Sequence, residues 1–474
     1  MKKTFIKISI LFFTVLFVVS CDKDFLNDPA PTDSVTSEVI FGSRTGAEAF
    51  ISGIMRRFRT QYNATDSAGL NSIYYARTVK GNDIIQGPTW FLYDYANDNR
   101  EPTYRRTNFT WTFCFDMINQ ANSLINGVAA SELSDLDKAE LMGQGKAIRA
   151  FFYFQLAMEF QHTYSYDSSL PAPPIYTELS LEGLPMTTLQ EMYSLIVSDL
   201  TTAVNDLPES RLGKSYINKA VANGILARVY QVMENWTGAE TAAKNAYGGS
   251  LSGVLDAPGY TSGFDDISNI EWIWGSPQSA DQSNYYWGAP HAHADHYVLS
   301  YAATFFNNDF VALFSDTDVR NIFLNAYGVG VNDYRHYITR KFTFGFDSDH
   351  PIIRTPEMIL VEAEAKYHNG NPNGAHDLLF ALQSNRDASA VKSSNTGSAL
   401  LEEILVERRK ELYAEIGVEW FDAKRYRRGI TRTGNHRVGS AANLLPDDKK
   451  FFLKIPQDEI DANDNIDDSV NANR

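Results

Sequence analysis

Arg354-Thr-Pro-Glu357-Met-Ile-Leu360-Val-Glu-Ala363-Glu364-Ala365 is the stretch on which the reading of this chain turns. Pro356 suits a first helical turn, where its missing N–H costs nothing, and apolar residues recur at three and four through 356–369. Asn371-Pro372-Asn373-Gly374 then breaks the helix and opens another. The pair has an earlier counterpart: Ala363, Gly374, Ala375 and Leu382 align without a gap on Ala227, Gly238, Ala239 and Ala246, 136 residues upstream. A small residue near the end of one helix, with Gly-Ala opening the next, is the close-packing pattern of tetratricopeptide hairpins. Any antiparallel helix crossing also favours small residues, so the pattern alone leaves both readings open.

Working outward, the same periodicity marks helices near 38–60, 107–129, 137–161, 187–207, 216–234, 237–247, 372–384 and 399–415. Ser131 and Ser134-Asp135 are candidate N-caps. Two regions break the pattern. Residues 81–106 mix Gly81 and Gly87-Pro88 with polar and aromatic residues, and 248–350 is punctuated by glycines, with Ile270-Glu-Trp-Ile-Trp274 alternating like a short strand. The expected fold is mainly α. It has an N-terminal helical part at 38–247 carrying a ligand loop near 81–106, a loop-rich insertion at 248–350, and a C-terminal helical part at 351–474.

The N-terminus is of another kind. Met1-Lys2-Lys3 and Lys7 precede an apolar run from Ile8 to Val19, too short for a membrane span of about 20 residues and suited to a signal peptide at 1–20. Val18-Val19-Ser20-Cys21 resembles the lipobox of bacterial lipoproteins, which implies a lipid on Cys21 and a tether over 21–37. A plain secretory signal is the alternative. Asp22-Lys23-Asp24 resembles the acidic export signal of Bacteroidetes surface lipoproteins. Cys114, in an apolar stretch, reads as a buried small hydrophobe, and with Cys21 lipidated no disulfide is expected.

Charge narrows the function. The 474 residues carry a formal net charge of −16, and removing the three lysines of the signal leaves −19. A surface that acidic has no footprint for releasing phosphate counterions, which excludes nucleic acid as an unspecific partner. The surplus is aromatic: 29 Phe, 25 Tyr and 7 Trp.

In order and spacing the motifs resemble the SusD/RagB outer-membrane lipoproteins of Bacteroidetes along nearly the whole mature chain. Beside the opening stretch stand Gly145-Lys-Ala-Ile-Arg149-Ala-Phe-Phe-Tyr-Phe, Glu191 to Asp199-Leu200, Asn218 to Arg228-Val-Tyr230 with Trp236, Glu407-Arg408-Arg409-Lys-Glu411-Leu412, Trp420-Phe-Asp422 and Ile455-Pro456-Gln-Asp-Glu459-Ile460. There are departures. Phe380 and Gln383 stand where the family has Asn-x-x-Arg, and Glu419 stands where arginine precedes the tryptophan. The resemblance implies a right-handed superhelix of tetratricopeptide-like helix pairs supporting a loop-rich part. It implies a surface-exposed, lipid-anchored protein of the outer membrane that binds a glycan, or in some members a peptide. Such a protein performs no covalent chemistry, needs no cofactor and passes its ligand to a SusC-type TonB-dependent transporter.

The candidate site follows from the chemistry of sugars, whose C–H faces pack on aromatic rings while hydroxyls bond to amides, carboxylates and guanidinium groups. Trp90, Tyr93, Tyr95, Asn97 and Arg100 supply both kinds at close spacing, and Tyr285, Tyr286 and Trp287 do so again beside Asp281, Gln282 and Asn284. Trp111, Trp236 and Trp420 lie on helices and are assigned to the core. His291-Ala-His293-Ala-Asp295-His296 matches the HxHxDH spacing of metallo-β-lactamase-fold hydrolases. The flanks lack that fold's buried strand and glycine pair, so a zinc hydrolase is a remote alternative and these four are weak metal candidates only. Asp461–Asp468 mimics a calcium loop without its glycine and closing Glu, and is expected to be a solvated tail. Glu407–Glu411 is expected to pair within its own helix at i,i+3. A purely protein-interacting or peptide-binding lid of the transporter remains the alternative function.

Overall fold

The computed structural model describes residues 36–60, 62–279, 290–298 and 300–474. The signal, the tether up to residue 35, Cys21 and the Tyr285-Tyr286-Trp287 cluster lie outside the described residues. About half of the chain is helical, with a few short strands. No helix among the described residues is long and apolar enough to cross a membrane.

The helices pack in chain order. Arg105–Ala130 lies on Asp135–Phe160, which packs on Leu189–Asp206, and that on Lys219–Val232. Lys219–Val232 forms a hairpin with Trp236–Tyr247, which packs on the next hairpin, Thr355–His368 with Pro372–Arg386. The 136-residue repeat is thus two adjacent hairpins, and its glycines have a local cause. Asn235 caps one helix by accepting from Gly238 N, and Asn371 caps the other by accepting from Gly374 N. A Cβ on Gly238 would lie 2.7 Å from the Tyr230 ring and 2.9 Å from the Asn235 amide, so only glycine fits beneath the cap. Ala227, Ala239, Ala363, Ala375 and Leu382 are fully buried at the crossings.

The motif residues are cross-helix ion pairs. Arg149 donates to both Asp199 oxygens at 2.8 Å and to Asn122 Oδ1 at 3.0 Å; Arg228 grips Glu357 with two 2.6 Å bonds; Arg408 holds Asp422. Each pair is buried. A buried cation needs a charged, hydrogen-bonded partner, which is why these residue types recur at fixed places along the helices.

Several expectations need correction. The first helix divides into Ser37–Phe41 and Arg44–Arg57 at Gly42-Ser43. Ser134, accepting from Asp137 N, is the N-cap, whereas Ser131 ends the preceding helix. The helix Gly69–Thr78 has no periodic signature because it is buried on all sides. The i,i+3 reading of Glu407–Glu411 is also wrong. Glu407 pairs with Arg320, Arg408 with Asp422, Arg409 with Asp83, Lys410 with Asp318, and Glu411 with Arg320, Arg354 and Arg386. The helix Ser398–Leu412 is enclosed by other elements, so its charges find tertiary partners. Three residues beyond Gln383, Arg386 is fully buried between Glu271 and Glu411. The Asp461–Asp468 stretch keeps its aspartates exposed, as expected, but is pinned at two points: Asn463 is buried and donates to Leu184 O at 2.9 Å, and Asn465 donates to Gly183 O.

The two irregular regions form one body. Ile84–Gln86 pairs antiparallel with Thr304–Phe306, and Trp272–Ser276 with His350–Arg354. Beneath them Tyr75, Phe91, Tyr95, Tyr260, Phe264, Phe306, Phe310, Phe314 and Tyr413 build a second core. Much of the aromatic surplus is spent there, in edge-to-face contacts such as Phe310–Phe314 at 5.3 Å.

Candidate ligand platform

The ladder between Ile84–Gln86 and Thr304–Phe306 extends by one bond, Gly87 N to Ala303 O, and delivers the chain to Trp90. Trp90 is 39% exposed, and the following Tyr93 is 63% exposed. The edge of Tyr301 meets Trp90 at 6.3 Å, and the Arg105 guanidinium lies 5.9 Å from the Trp90 ring centre. Arg105 is held there by a fork of 2.9 and 2.8 Å bonds to Asp66, and the Tyr301 hydroxyl is bonded to Thr65 at 3.0 Å. An exposed indole with a fixed guanidinium and a phenol beside it can stack a pyranose ring and bond its hydroxyls, while the buried Asp66 serves to hold the guanidinium in place.

Three sequence candidates belong elsewhere. Tyr95 is fully buried; its hydroxyl bonds His436 Nδ1 at 2.8 Å, and Arg432 lies 4.1 Å from its ring centre. Asn97 is buried in a left-handed conformation with φ 55°, its amide donating to Ala442 O at 2.6 Å. Arg100 donates from Nε to Phe452 O at 3.0 Å and covers the Phe452 ring. These residues anchor the loop to the C-terminal segment, and the spacing that suggested one binding face is wound into a short helix, Leu92–Tyr95. Asp94 of that helix is spent on Arg106.

The histidine motif is likewise dispersed. On the short helix Pro290–Ala294 the rings of His291 and His293 meet different neighbours. His291 Nε2 donates to Phe264 O at 2.6 Å, and burial pushes its pKa down to about 4. His293 is buried against Tyr75 and Tyr301 without a hydrogen-bond partner among the described residues, and its pKa falls to about 3 for the same reason. Asp295 accepts from Tyr297 N and Phe344 N at 2.8 Å, while His296 bonds the Tyr327 hydroxyl and Thr304 O. Among the described residues no group of three His, Cys, Asp or Glu could hold a metal ion. Cys114 is free and buried, its thiol pushed far up by burial. Trp111 and Trp420 are buried as expected, whereas Trp236 is partly exposed and stacks on His368 at 3.9 Å.

Thr65, Asp66, Arg105 and Tyr301 were not legible as a site. Asp66 and Arg105 are 39 residues apart and Thr65 and Tyr301 are 236 apart, with no periodicity linking them. A groove of about 430 Å³ lies elsewhere, lined by Trp111, Phe115, Tyr176 and Leu181 with Glu459 and Asn463. It includes none of the sequence candidates.

Two family models match the chain. One, described as starch-binding associating with outer membrane, covers residues 37–231, and the SusD family model covers 302–471. The chain belongs to the SusD/RagB family. A SusD-like protein of Formosa agariphila is 21% identical over 91% of this chain and 94% of its own length. A SusD-like carbohydrate-binding protein of Bacteroides vulgatus superposes with TM-score 0.81 at 25% identity, covering 90% of this chain and 97% of that one. A laminarin-binding SusD-like protein superposes with TM-score 0.70 at 18% identity, covering 89% of this chain and 98% of that one. The departures from the family pattern acquire roles in this member. Glu419 accepts from Asn82 N at 2.7 Å and Asp83 N at 3.0 Å, fixing the turn that enters the Trp90 loop. Burial and the neighbouring Asp83 push its pKa up to about 7.

Proposed function

We propose that this protein is a non-catalytic, lipid-anchored glycan receptor on the outer face of the outer membrane, which captures an oligosaccharide and passes it to a SusC-type TonB-dependent transporter. The observation that carries the reading is the exposed Trp90 ring, flanked by Tyr301 and overlaid by an Arg105 that Asp66 holds in place. Membership of a carbohydrate-binding family and the similarity to a carbohydrate-binding and a laminarin-binding SusD-like protein support it. Tyr93, and Trp287 with Tyr285 and Tyr286 from the insertion, would extend the stacking surface. Cys21 would carry the lipid.

A glycan array followed by titration of the best ligand tests the platform. Removing the Trp90 ring forfeits about 80 Å² of apolar contact, worth about 2 kcal/mol at roughly 25 cal/mol/Å² and so about 30-fold in affinity. The Trp90→Ala/Trp287→Ala variant should lose more. Tyr95→Phe, which removes the hydroxyl bonded to His436 Nδ1 and Val438 N, should lower the melting temperature and leave affinity unchanged. Unaltered binding by the double variant would move the site off this surface. Co-purification of the lipidated protein with a TonB-dependent transporter checks the hand-off.

A further inference from the structure

In a chain with sixteen excess acids, exposed arginines generally find carboxylates: Arg57 pairs with Asp116, Arg335 with Asp333, Arg427 with Asp447, Arg428 with Glu402. Arg56, on another face, and two arginines beside the platform, the exposed Arg340 and the half-buried Arg437, have no such pair among the described residues. Arg340 is exposed, its guanidinium 4.5 Å from the centre of the Tyr297 ring, with no carboxylate partner among the described residues. Arg437 donates one N–H to Gln86 O at 3.1 Å, lies 5.4 Å from the centre of the Tyr334 ring, and also lacks a carboxylate partner there.

The two are joined by aromatic rings. Phe305 is 5.3 Å from Tyr334 and 4.9 Å from His296, whose chain neighbour is the half-exposed Tyr297 beneath Arg340. The Tyr327 hydroxyl, bonded to His296 at 2.9 Å, adds a further exposed ring. This rim shares its strands with the platform, since Gln86 pairs with Thr304 one step before the Gly87–Ala303 bond that leads to Trp90. The carboxylates of the same segments are committed: Asp295 caps two backbone N–H groups, and Asp333 is forked by Arg335.

We propose that the glycan taken at this surface is anionic, bearing carboxylate or sulfate groups that Arg340 and Arg437 bind while the tyrosines stack its rings. The proposal rests on the glycan reading above and narrows it to a chemical class. A guanidinium is a planar fork that matches a carboxylate or sulfate bidentately. Laid over a tyrosine face it keeps that fork turned outward. An overall acidic protein repels a polyanion, so such a ligand needs a local excess of cations, and a neutral glycan does not. Sugar is favoured over acidic peptide because the cations alternate with exposed aromatic faces.

The full mature protein is applied to an array printed with polygalacturonate, alginate, dextran sulfate, laminarin, starch, xyloglucan and poly-glutamate. The strongest hit is then titrated at 20 and 300 mM NaCl. The expected hit is a uronate or sulfated polysaccharide, and which of the two it is identifies the anionic group. Its affinity should fall at least tenfold between the two salt concentrations, because exposed charges are screened. Arg340→Gln and Arg437→Gln should each weaken it about tenfold with an unchanged melting temperature. Lys392→Gln, in the exposed segment between Pro372–Arg386 and Ser398–Leu412 where it pairs with Asp377, should match wild type. Binding of neutral glycans alone, or arginine variants that bind as wild type, overturns this inference and leaves the proposed function standing. Poly-glutamate bound as tightly as any polysaccharide moves the assignment to peptide. Retention of no probe at all sinks both.

Discussion

Glu411→Gln is the most demanding prediction, because the side chain is kept in shape and only its charge is removed. Glu411 is fully buried and accepts from Arg320 Nη1 at 3.1 Å, from Arg354 Nη1 at 3.0 Å and from Arg386 Nε and Nη2 at 3.2 and 3.1 Å. The cluster it centres contains Arg320, Lys341, Arg354, Arg386 and Lys410 against Glu271, Asp318, Glu407, Glu411 and Glu415, five charges of each sign. Neutralising Glu411 strands one positive charge without water, a loss of about 3–5 kcal/mol. At about 2.1 cal/mol/K per residue, unfolding a chain of this size changes entropy by about 1 kcal/mol/K, so the melting temperature should fall by about 3–5 °C.

Differential scanning calorimetry at pH 7 reads the shift. Glu402→Gln, which breaks the exposed pair with Arg428, should move it by less than about 1 °C. Adding Arg386→Gln to Glu411→Gln removes the stranded charge and should cost less than the two single losses summed. The three arginines hold the Glu411 pKa well below its ordinary value. Its contribution is therefore full above the unfolded pKa of about 4.3 and fades as the pH drops through the depressed folded value. The wild-type advantage should shrink in acid. A Glu411→Gln protein melting within 1 °C of wild type at pH 7, or strict additivity in the double variant, would refute the charge-balance account.

Two further outcomes follow from the geometry. Gly238→Ala should destabilise by about 1–3 kcal/mol, since its Cβ meets the Tyr230 ring at 2.7 Å, while Gly213→Ala, with nothing within 4 Å, serves as the control in the same melts. Glu419 has a raised folded pKa of about 7, so its protonated form favours folding below pH 4.5 and that benefit disappears as the pH rises through 7. Glu419→Gln should consequently raise the melting temperature at pH 8 by about 1–2 °C and leave it near wild type at pH 5; the opposite order would show that the carboxylate charge stabilises the Asn82-Asp83 turn.

The helical scaffold was legible because each hairpin solves a local problem twice over. Asn-x-x-Gly at 235–238 and 371–374 caps a helix and permits a close approach within four residues, so the signal survives in one dimension. The helix Gly69–Thr78, buried all round, leaves no polar face to betray a period. Arg149, Arg228 and Glu411 could be read as markers of a family, but their partners, Asp199 for the first, Glu357 for the second and Arg320, Arg354 and Arg386 for the third, could not be chosen from spacing.

The sequence by itself determined the repeat of helix pairs, the acidic and aromatic character, and two irregular regions suited to a ligand. Tertiary structure alone decided which aromatics face water. Trp90 and Tyr95 stand five residues apart in one loop, yet one ring lies open beside Arg105 and the other is closed under Arg432. Alternation in a loop carries no fixed period, so the side that becomes surface is set by the elements that close over it, here the 430–444 segment and the Thr304–Phe306 strand. Charge followed the same rule: composition gave its excess, and folding decided that Arg340 and Arg437 would have no carboxylate partner among the described residues.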